Sequence, residues 1–369
     1  MAVASTSVSE LTRALVAIDS VNPDLVEGAA GEAALAHFVG GWLEDAGLEV
    51  ETEEVAPGRV NVVGIARGRG GGRSLLLNAH MDTVGTGGMD DPFGGRIEDG
   101  RLHGRGAYDM KASLAAIMLA GAAARERGLS GDVIVTAVCD EEVASIGTAR
   151  IAERIHADAA IVAEPTEMRV AIAHKGFVWF EIETEGRAAH GSRPDLGVDA
   201  IARMGIVLVR LGELDASLRS GASHPLLGSG SVHASLVEGG IEPSTYPDRC
   251  VLHAERRTVP GEGAVLVERE AHSLLGDVPG AVRVGFERRP FEVDPEEEVV
   301  RLVRRAAGTG DVVGVPFWAD SALLAEAEIP TVVFGPAGEG AHADVEWVDL
   351  ASVERCVEIY LTVACEFCS

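Results

Sequence analysis

The first half of the chain alternates short apolar runs with longer segments of helical periodicity. The apolar runs at Val60–Ala66, Ser74–Ala79 and Asp132–Cys139 predict buried strands. The segment Met110–Arg127 carries Ala and Leu on one face and charges near its end, which predicts a helix. Strands and helices in this rhythm predict an α/β domain whose largely parallel sheet is covered on both faces.

The pattern changes near the middle of the chain. Phe177–Thr184 alternates apolar and polar residues as a half-exposed strand does, and the predicted helix Val198–Leu211 follows it. The next strand, strand, helix and strand are predicted at Ser231–Val237, Cys250–Glu255, Glu262–Leu275 and Ala281–Phe286. The order β-α-β-β-α-β is that of the split βαβ, ferredoxin-like sandwich, so an α+β domain is expected here.

The first pattern returns after Pro290, with a predicted strand at Thr331–Phe334 and a last helix from about Asp349 to Cys365. We therefore predict a discontinuous α/β domain formed by residues 1–176 and 291–369. Residues 177–290 are predicted to form the smaller inserted domain.

The composition narrows the function classes. The 369 residues include 58 acidic and 31 basic side chains, for a formal net charge of -27. An acidic surface repels phosphate backbones and anionic lipids, so we expect neither a nucleic-acid nor a membrane partner. The longest apolar stretch, about Leu114–Ala124, is too short to span a bilayer.

The cysteines and the first residues predict a cytoplasmic protein. Five scattered cysteines fit a reducing compartment better than a disulfide framework. Met1–Glu10 lacks the basic and apolar regions of a secretory signal. Cys365 and Cys368 form a C-x-x-C pair, but no partner for a metal or redox role stands near them in the sequence, so incidental cysteines are the preferred interpretation.

Five segments place an acid or a histidine soon after an apolar run. They are Asn78–Val84, Gly104–Lys111, Asp140–Glu142, Ala163–Thr166 and Gly340–Asp344. Ligands of open α/β sheets gather beyond the carboxyl ends of the strands, so these segments are expected to converge. Two histidines with three or four carboxylates are the ligand set of a carboxylate-bridged pair of divalent metals, with zinc favoured. Spacing alone leaves open the alternative of a surface or core histidine and a solvated Glu-Glu turn.

Neighbouring residues within these segments suggest separate roles. His80 and Asp82 are two positions apart and cannot both ligate comfortably from one straight strand, so Asp82 suits the role of accepting the other ring N–H of His80. The adjacent side chains of Glu141 and Glu142 point apart at a strand end. One of them can therefore bind a metal while the other faces a water as general base.

These segments resemble the signatures of the M20 metallopeptidase family, whose members include acetylornithine deacetylase, succinyl-diaminopimelate desuccinylase, aminoacylase and the glutamate carboxypeptidases. The resemblance follows the order of the chain over nearly its whole length, and its strongest matches are His80–Val84, Gly104–Lys111, Asp140–Glu142 and Ala163–Thr166. It implies a zinc-exopeptidase-like α/β catalytic domain with an inserted lid or dimerisation domain.

Carried over position by position, the resemblance implies a two-metal site. Asp109 bridges the two ions, His80 and Glu164 complete one site, and Glu142 and His342 complete the other. The ions are expected to be divalent, zinc first, with cobalt and manganese as alternatives.

The resemblance also implies the catalytic and substrate-binding groups. Asp82 orients the first histidine, and Glu141 is the general base. In the lid, His190 completes the oxyanion site, often in the partner subunit's active site, and Arg257 holds a substrate carboxylate. Arg256 is an alternative to Arg257, and either arginine is otherwise an ordinary exposed strand charge.

Three positions depart from the family pattern. Ser244 stands where asparagine is common, which puts substrate contacts from that loop in doubt. Glu255 replaces a common aspartate before the arginines. His103 stands where an aromatic residue is frequent and is interpreted as a packing residue, not as a third histidine ligand.

The leading hypothesis is an amide hydrolase that removes an acyl group from a small N-acyl amino acid. A di- or tripeptidase or a glutamate-type carboxypeptidase with the same metal site is the alternative. A metal-binding scaffold without catalysis is disfavoured, because Glu141 and all five ligands are present. A homodimer through the lid is expected, and Val207, Leu208 and Leu211 face either the partner or the lid sheet.

Overall fold

The structure is a computed structural model that describes residues 6–369. The chain forms two compact units. The larger unit extends to Ile172 and includes Val293–Val313 and Ala319–Ser369, while the smaller consists of Ala173–Glu292 and Gly314–Trp318. The catalytic and lid roles assigned to these parts of the chain stay predictions. The prediction about a secretory signal concerned Met1–Glu10, and residues 1–5 of that segment lie outside the described residues.

The helices and strands are numbered here in chain order. The helices are α1 Val8–Val16, α2 Ala33–Asp45, α3 Ala112–Arg127, α4 Ile146–Arg154, α5 Ala200–Ser220, α6 Ala264–Leu275, α7 Glu298–Ala307, α8 Ser321–Glu326 and α9 Leu350–Phe367. The first nine strands are β1 Glu49–Ala56, β2 Arg59–Ala66, β3 Leu75–His80, β4 Arg96–Glu98, β5 Arg101–His103, β6 Val133–Val138, β7 Ala159–Val162, β8 Val170–His174 and β9 Gly176–Glu185. The others are β10 Ser231–Gly239, β11 Arg249–Thr258, β12 Gly280–Arg288, β13 Phe291–Glu292, β14 Val312–Val315, β15 Thr331–Val333, β16 Gly338–Glu339 and β17 Trp347–Asp349.

The main sheet of the larger unit is mixed. Its strands lie in the order β1-β2-β6-β3-β7-β15-β8. The four central strands β6, β3, β7 and β15 are parallel, whereas β1, β2 and β8 pair antiparallel to their neighbours. The α/β fold class is confirmed. The sheet was expected to be largely parallel, but only its four central strands are parallel to one another. The reason at one edge is local: β1 and β2 are joined by a tight hairpin whose turn contains Gly58 at φ +75°.

The central strands are buried on both faces. Every residue of β3 and β6 is buried, and successive side chains of a strand point to opposite faces. Helix α3 covers this part of the sheet with a surface of Ala, Leu and Ile, and Gly121 allows it to approach closely. A Cβ atom at Gly121 would lie 2.5 Å from Cγ2 of Val135.

The strand register brings the carboxyl ends of three strands to one edge. His80 of β3 lies beside Val138 of β6, and Asn78 of β3 lies beside Val162 of β7. The segments that follow β3, β6 and β7 therefore begin next to one another, as the sequence predicts. No helix within residues 6–369 is long and apolar enough to cross a membrane.

A second, four-stranded sheet joins two distant parts of the larger unit. Its order is β16-β17-β5-β4, with antiparallel pairs throughout. The π-helical turn Ala107–Lys111, which contains Asp109, follows β5, whereas His342 lies in the loop between β16 and β17. Strand β5 precedes Asp109 and strand β17 follows His342, so the pairing of these two strands brings the two segments together.

The smaller unit has the predicted order β9-α5-β10-β11-α6-β12 and an antiparallel sheet in the order β10-β11-β9-β12. This is the ferredoxin-like arrangement expected from the sequence. Both helices pack on the sheet face formed by Val178, Phe180 and Ile182. Val207 and Leu211 are buried in that core and Leu208 packs against it, so this part of α5 faces its own sheet.

Candidate metal centre

His80 lies at the last position of β3, and its side chain is almost completely buried. Its Nδ1 donates to the backbone carbonyl oxygen of Asp82 at 2.9 Å, because a carbonyl can only accept. A neutral ring then carries its lone pair on Nε2, which is the atom needed for a metal. The predicted partner, the carboxylate of Asp82, is farther away, with Oδ1 at 3.6 Å.

The carboxylate of Asp109 lies between the two predicted histidine ligands. Its Oδ1 is 3.1 Å from Nε2 of His80, and its Oδ2 is 3.4 Å from Nε2 of His342. Glu164 approaches the same nitrogen of His80 at 3.8 Å. Glu142 approaches the same nitrogen of His342 at 3.0 Å. The structure thus brings all five predicted ligands together, with one oxygen of Asp109 directed to each histidine.

Two sets of potential ligand atoms within residues 6–369 lie close enough to hold a metal. They are His80, Glu141 and Glu164, and His80, Asp109 and Glu142, each with its ligand atoms within 4.8 Å of one another. Neither set contains His103 or the C-terminal cysteines, and all five cysteines are free. The candidate metal chemistry of the described residues is therefore concentrated at one edge of the sheet.

The Asp82 carboxylate positions the loop that carries the two adjacent glutamates. Its oxygens accept hydrogen bonds from the backbone N–H groups of Glu141 at 3.0 Å and Glu142 at 3.2 Å. The two side chains then diverge: Glu142 reaches His342, while Oε2 of Glu141 lies 4.0 Å from His80. This separation is too long for a hydrogen bond, and within residues 6–369 the Glu141 carboxylate accepts none. It is therefore available to a water.

A buried ion network lies behind this loop. Arg59 donates from Nε and Nη2 to Glu32, at 2.9 and 2.6 Å, and from Nη2 to Asp140 at 2.9 Å. Asn22 donates from one nitrogen to both Asp82 and Asp140, at 2.8 and 3.2 Å. Sequence reasoning missed Glu32, Arg59 and Asn22. An arginine at the start of the buried strand β2 is the one local sign of such a network.

Glu346 holds the backbone on which Asp109 lies. Its buried carboxylate accepts hydrogen bonds from the backbone N–H groups of Tyr108 at 2.9 Å and Asp109 at 3.1 Å. The other oxygen accepts from the backbone of Gly106 at 3.0 Å. Three backbone donors of this irregular segment are thereby satisfied by a single side chain.

Arg105 extends this contact to the loop of the second histidine. Its Nη1 donates to Glu346 at 2.6 Å, and its Nη2 donates to the carbonyl oxygen of Ala343 at 3.0 Å. Its Nε donates to the carbonyl oxygen of Gly85 at 3.0 Å. Because Ala343 follows His342, the pair of Arg105 and Glu346 joins the Asp109 segment to the loop of the exposed His342. We call these two residues the Arg105–Glu346 clamp.

Burial and mutual repulsion dominate the electrostatics. Burial first, and then the charge of Glu164, raises the pKa of Glu141 well above its usual value, and burial does the same to Glu164. Burial also opposes ionisation of Asp109, but hydrogen bonds from the two histidines lower its pKa below the usual range. The hydrogen bond to Asp109, followed by that to Glu142, raises the pKa of His342 to about 10. Metal binding must displace such protons.

The donor set fits divalent metal ions. Two imidazoles and several carboxylates suit ions that accept both nitrogen and oxygen ligands. One oxygen of Glu142, Oε1, is buried and has no hydrogen-bond partner among residues 6–369, so it is available to a cation. A cation would also neutralise the repulsion among the four carboxylates of Asp109, Glu141, Glu142 and Glu164.

The other predicted residues lie in the smaller unit. His190 is exposed, and its Nδ1 accepts a hydrogen bond from the backbone N–H of Ser192 at 3.2 Å. In the neutral ring Nε2 therefore carries the hydrogen and can donate. Ser244 accepts through its backbone carbonyl from the N–H of Gly191 at 2.7 Å, which holds the loop that carries His190.

The two adjacent arginines point to opposite faces of β11. Arg256 is buried and donates to Glu262 and Glu270, both at 3.0 Å. Arg257 is partly exposed and donates from Nε to Glu255 at 2.6 Å. Arg256 thus belongs to the interior of the unit, and Arg257 is the arginine available to a ligand.

Comparison with known proteins identifies the family of this chain. The family model described as peptidase family M20/M25/M40 matches residues 76–366. The chain belongs to this family. It is 30% identical to acetylornithine deacetylase from Myxococcus xanthus, an alignment that covers 89% of this chain and 87% of the relative. As an M20 protein with such a relative, the chain is a metal-dependent amide hydrolase.

Solved structures of M20 proteins share the fold. Aminopeptidase PepT from Bacillus cereus matches with a TM-score of 0.79 and 19% identity over 98% of both chains. The YXEP protein of Bacillus subtilis, described as a dinuclear metal-binding peptidase of the M20 family, matches with a TM-score of 0.73 and 17% identity, over 98% of this chain and 97% of its own. Because the identities are below 20%, these two matches establish only that this chain has the same fold.

The Arg105–Glu346 clamp generates a prediction. Glu346→Gln removes the ion pair with Arg105 and replaces one acceptor by a donor, so the backbone at Asp109 and the loop of His342 should both loosen. Metal affinity should fall by about 10- to 100-fold, as it does when groups that orient metal ligands are altered. Calorimetric titration of the chelator-stripped protein with Zn²⁺ measures this change. Glu339→Gln, at an exposed position of β16, is the control and should bind like the wild type. Unchanged affinity in Glu346→Gln would contradict the clamp.

Proposed function

We propose that this M20 enzyme hydrolyses the amide bond of an N-acyl amino acid, releasing a carboxylic acid and the free amino acid. The observation that carries the proposal is the position of Asp109 between His80 and His342, with the unbonded carboxylate of Glu141 beside them. The similarity to an acetylornithine deacetylase over most of both chains supports an acyl group over a peptide.

Two divalent ions are proposed for the site. His80, Asp109 and Glu164 would hold one, and Asp109, Glu142 and His342 would hold the other, with zinc favoured over cobalt and manganese. When bound, the ions supply Lewis acidity to the scissile carbonyl and make a nearby water more acidic. The dinuclear metal-binding description of the B. subtilis relative supports two ions over one.

Glu141 acts as the base and then as the acid. It takes a proton from the attacking water while the water oxygen bonds to the carbonyl carbon. It returns that proton to the amide nitrogen as the carbon–nitrogen bond breaks, so the nitrogen leaves as an amine. The backbone N–H of Glu141 donates to Asp82, and this hydrogen bond holds the backbone from which the Glu141 side chain extends.

Two residues of the smaller unit are proposed to bind the substrate. His190 donates from Nε2 to the oxyanion of the tetrahedral intermediate. Arg257 binds the α-carboxylate through its two terminal nitrogens, which make no hydrogen bond within residues 6–369. The planar fork of a guanidinium positions such a carboxylate and thereby the amide.

A peptidase is the second candidate. The fold similarity to aminopeptidase PepT favours it, and the site would bind a dipeptide or tripeptide by the same groups. The general base and the carboxylate-binding arginine serve both reactions, so substrate comparison must separate the two.

We also propose a homodimer through the smaller unit. Strand β10 lies at the edge of its sheet and exposes Leu236 and Val237. Helix α5 exposes Ile201, Ile206 and Val209. An open strand edge with exposed apolar residues, next to an apolar helix surface, favours pairing with a second copy.

The first test combines metal content with turnover. Protein purified without chelator should hold about two metal ions per chain and release acetate from N-acetyl amino acids, and a chelator should stop the release.

Glu141→Gln should keep the metal and lose about 10²- to 10⁴-fold in kcat, since it loses the proton acceptor. Glu142→Gln is the contrast and should lose metal as well. Wild-type turnover in Glu141→Gln would exclude its role as base, whereas cleavage of dipeptides alone would favour the peptidase.

The role of Arg257 predicts a split between substrates. Arg257→Ala should raise KM by about 10-fold or more for substrates with a free α-carboxylate, because a charge-assisted pair is lost. The corresponding α-carboxamides should be hydrolysed by the variant and the wild type with similar KM. Steady-state kinetics on both series measure the split, with the exposed Arg249→Ala on the same strand as control. Equal effects on acids and amides would remove Arg257 from the site.

The dimer predicts a change in mass. A charge placed in the apolar surface, as in Val209→Asp or Leu236→Asp, should convert the dimer to a monomer because the charge would have to be buried. Val265→Asp, at an exposed position of α6, should remain a dimer. Light scattering after gel filtration distinguishes the two masses, and a monomeric wild type would end the proposal.

A further inference from the structure

Three aromatic side chains form a continuous surface on the smaller unit. The ring centres of Phe177 and Trp179 are 5.4 Å apart, and Phe286 lies 5.4 Å from Trp179 and 5.9 Å from Phe177. Phe177 and Trp179 alternate along β9 with residues of the core, so they lie on the sheet face opposite the helices. We call these three side chains the aromatic platform.

Arg257 borders the aromatic platform. It pairs with Phe177 in the register between β9 and β11, and its guanidinium carbon lies 5.1 Å from the centre of that ring. Glu255 binds only its Nε, at 2.6 Å. The two terminal nitrogens make no hydrogen bond within residues 6–369, so they are free to bind an anionic group beside the platform.

The polar groups around the platform are already paired. Trp179 donates its ring N–H to Glu255 at 3.0 Å, so its half-exposed side chain offers an apolar face. Glu181 is 3.3 Å from His253 and 3.7 Å from Arg283. Both acids near the platform therefore have cationic or N–H partners, and neither is left to bind an ammonium group.

A cavity of about 650 Å³ extends from Trp179 to Phe286. It is also lined by Ser235, His253 and Arg283. This volume lies in the range of small-molecule sites, whose walls are mostly apolar with a few polar groups that fix orientation. The cavity, which Trp179 and Phe286 line but Phe177 and Arg257 do not, is thus large enough for one bulky side chain.

We infer that the substrate is an N-acyl amino acid with an aromatic or large aliphatic side chain, which packs on the aromatic platform. The inference rests on the proposed function, in which Arg257 binds the α-carboxylate. The side chain and that carboxylate are attached to the same carbon, so the side chain, and not the acyl group, reaches the rings beside Arg257. A basic side chain such as that of ornithine finds no unpaired carboxylate there and places its charge next to Arg257.

Binding to the metal-loaded Glu141→Gln variant tests this inference without turnover. Calorimetry should show N-acetyl-L-phenylalanine binding about 10-fold or more tightly than N-acetyl-L-ornithine, a preference of the size that aromatic packing provides. Adding Trp179→Ala should remove most of this preference, and Trp179→Phe should restore part of it. Binding of N-acetylglycine, which has no side chain to pack, should be unaffected. Val265→Ala, on the opposite face of the same unit, is the matched control.

The outcomes separate this inference from the proposed function. Equal or tighter binding of N-acetyl-L-ornithine, a preference that survives Trp179→Ala, or no binding of any of the three compounds would overturn it. Phe286→Ala provides a second test should Trp179→Ala fail to fold. The proposed function fails differently, through a wild-type enzyme that binds these compounds and releases acetate from none of them.

Discussion

Concentrated negative charge in a largely buried site is the constraint on which the larger unit depends. Asp109, Glu141, Glu142 and Glu164 meet at one edge of the sheet, and burial raises the pKa of the three glutamates. Isolated buried carboxylates would take up protons instead of remaining charged. The two histidines offset part of this charge, and bound metal cations would offset more of it. The ionised form of these carboxylates is therefore stable only when positive charge lies beside them.

The same constraint explains how the ligands are held. Loops in a buried site must satisfy their backbone N–H groups, and here carboxylates do so. Asp82 accepts from two consecutive residues of the Glu141 loop, and Glu346 accepts from three in the Asp109 segment. These carboxylates are stabilised in turn by Asn22 and Arg105. Because breaking a buried pair leaves an unpaired charge, each loop is strongly favoured in one conformation.

The parts of the site that follow apolar runs can be predicted from sequence. His80 ends a buried strand, and the glutamates follow others, so the pattern alone places them at one edge of a sheet. The supporting residues cannot be found this way: Glu346 and Gly106 are 240 positions apart, and Arg59 and Asp140 are 81 apart. Strands of two or three residues, such as β16 and β17, are also too short to show alternation. The sheet that joins Asp109 to His342 is therefore invisible in the sequence.

The two adjacent arginines of β11 show how strand geometry decides function. The family resemblance favours Arg257 and leaves Arg256 as the alternative, because either guanidinium fits a carboxylate. The strand period of two sends Arg256 into the core and Arg257 to the opposite face. In the core the guanidinium is consumed by two glutamates, as burial of its charge requires. On the other face Arg257 borders the aromatic platform, and its terminal nitrogens are available to a ligand. The proposed recognition of a carboxylate beside an apolar group thus depends on which of two adjacent arginines lies on the exposed face of the strand.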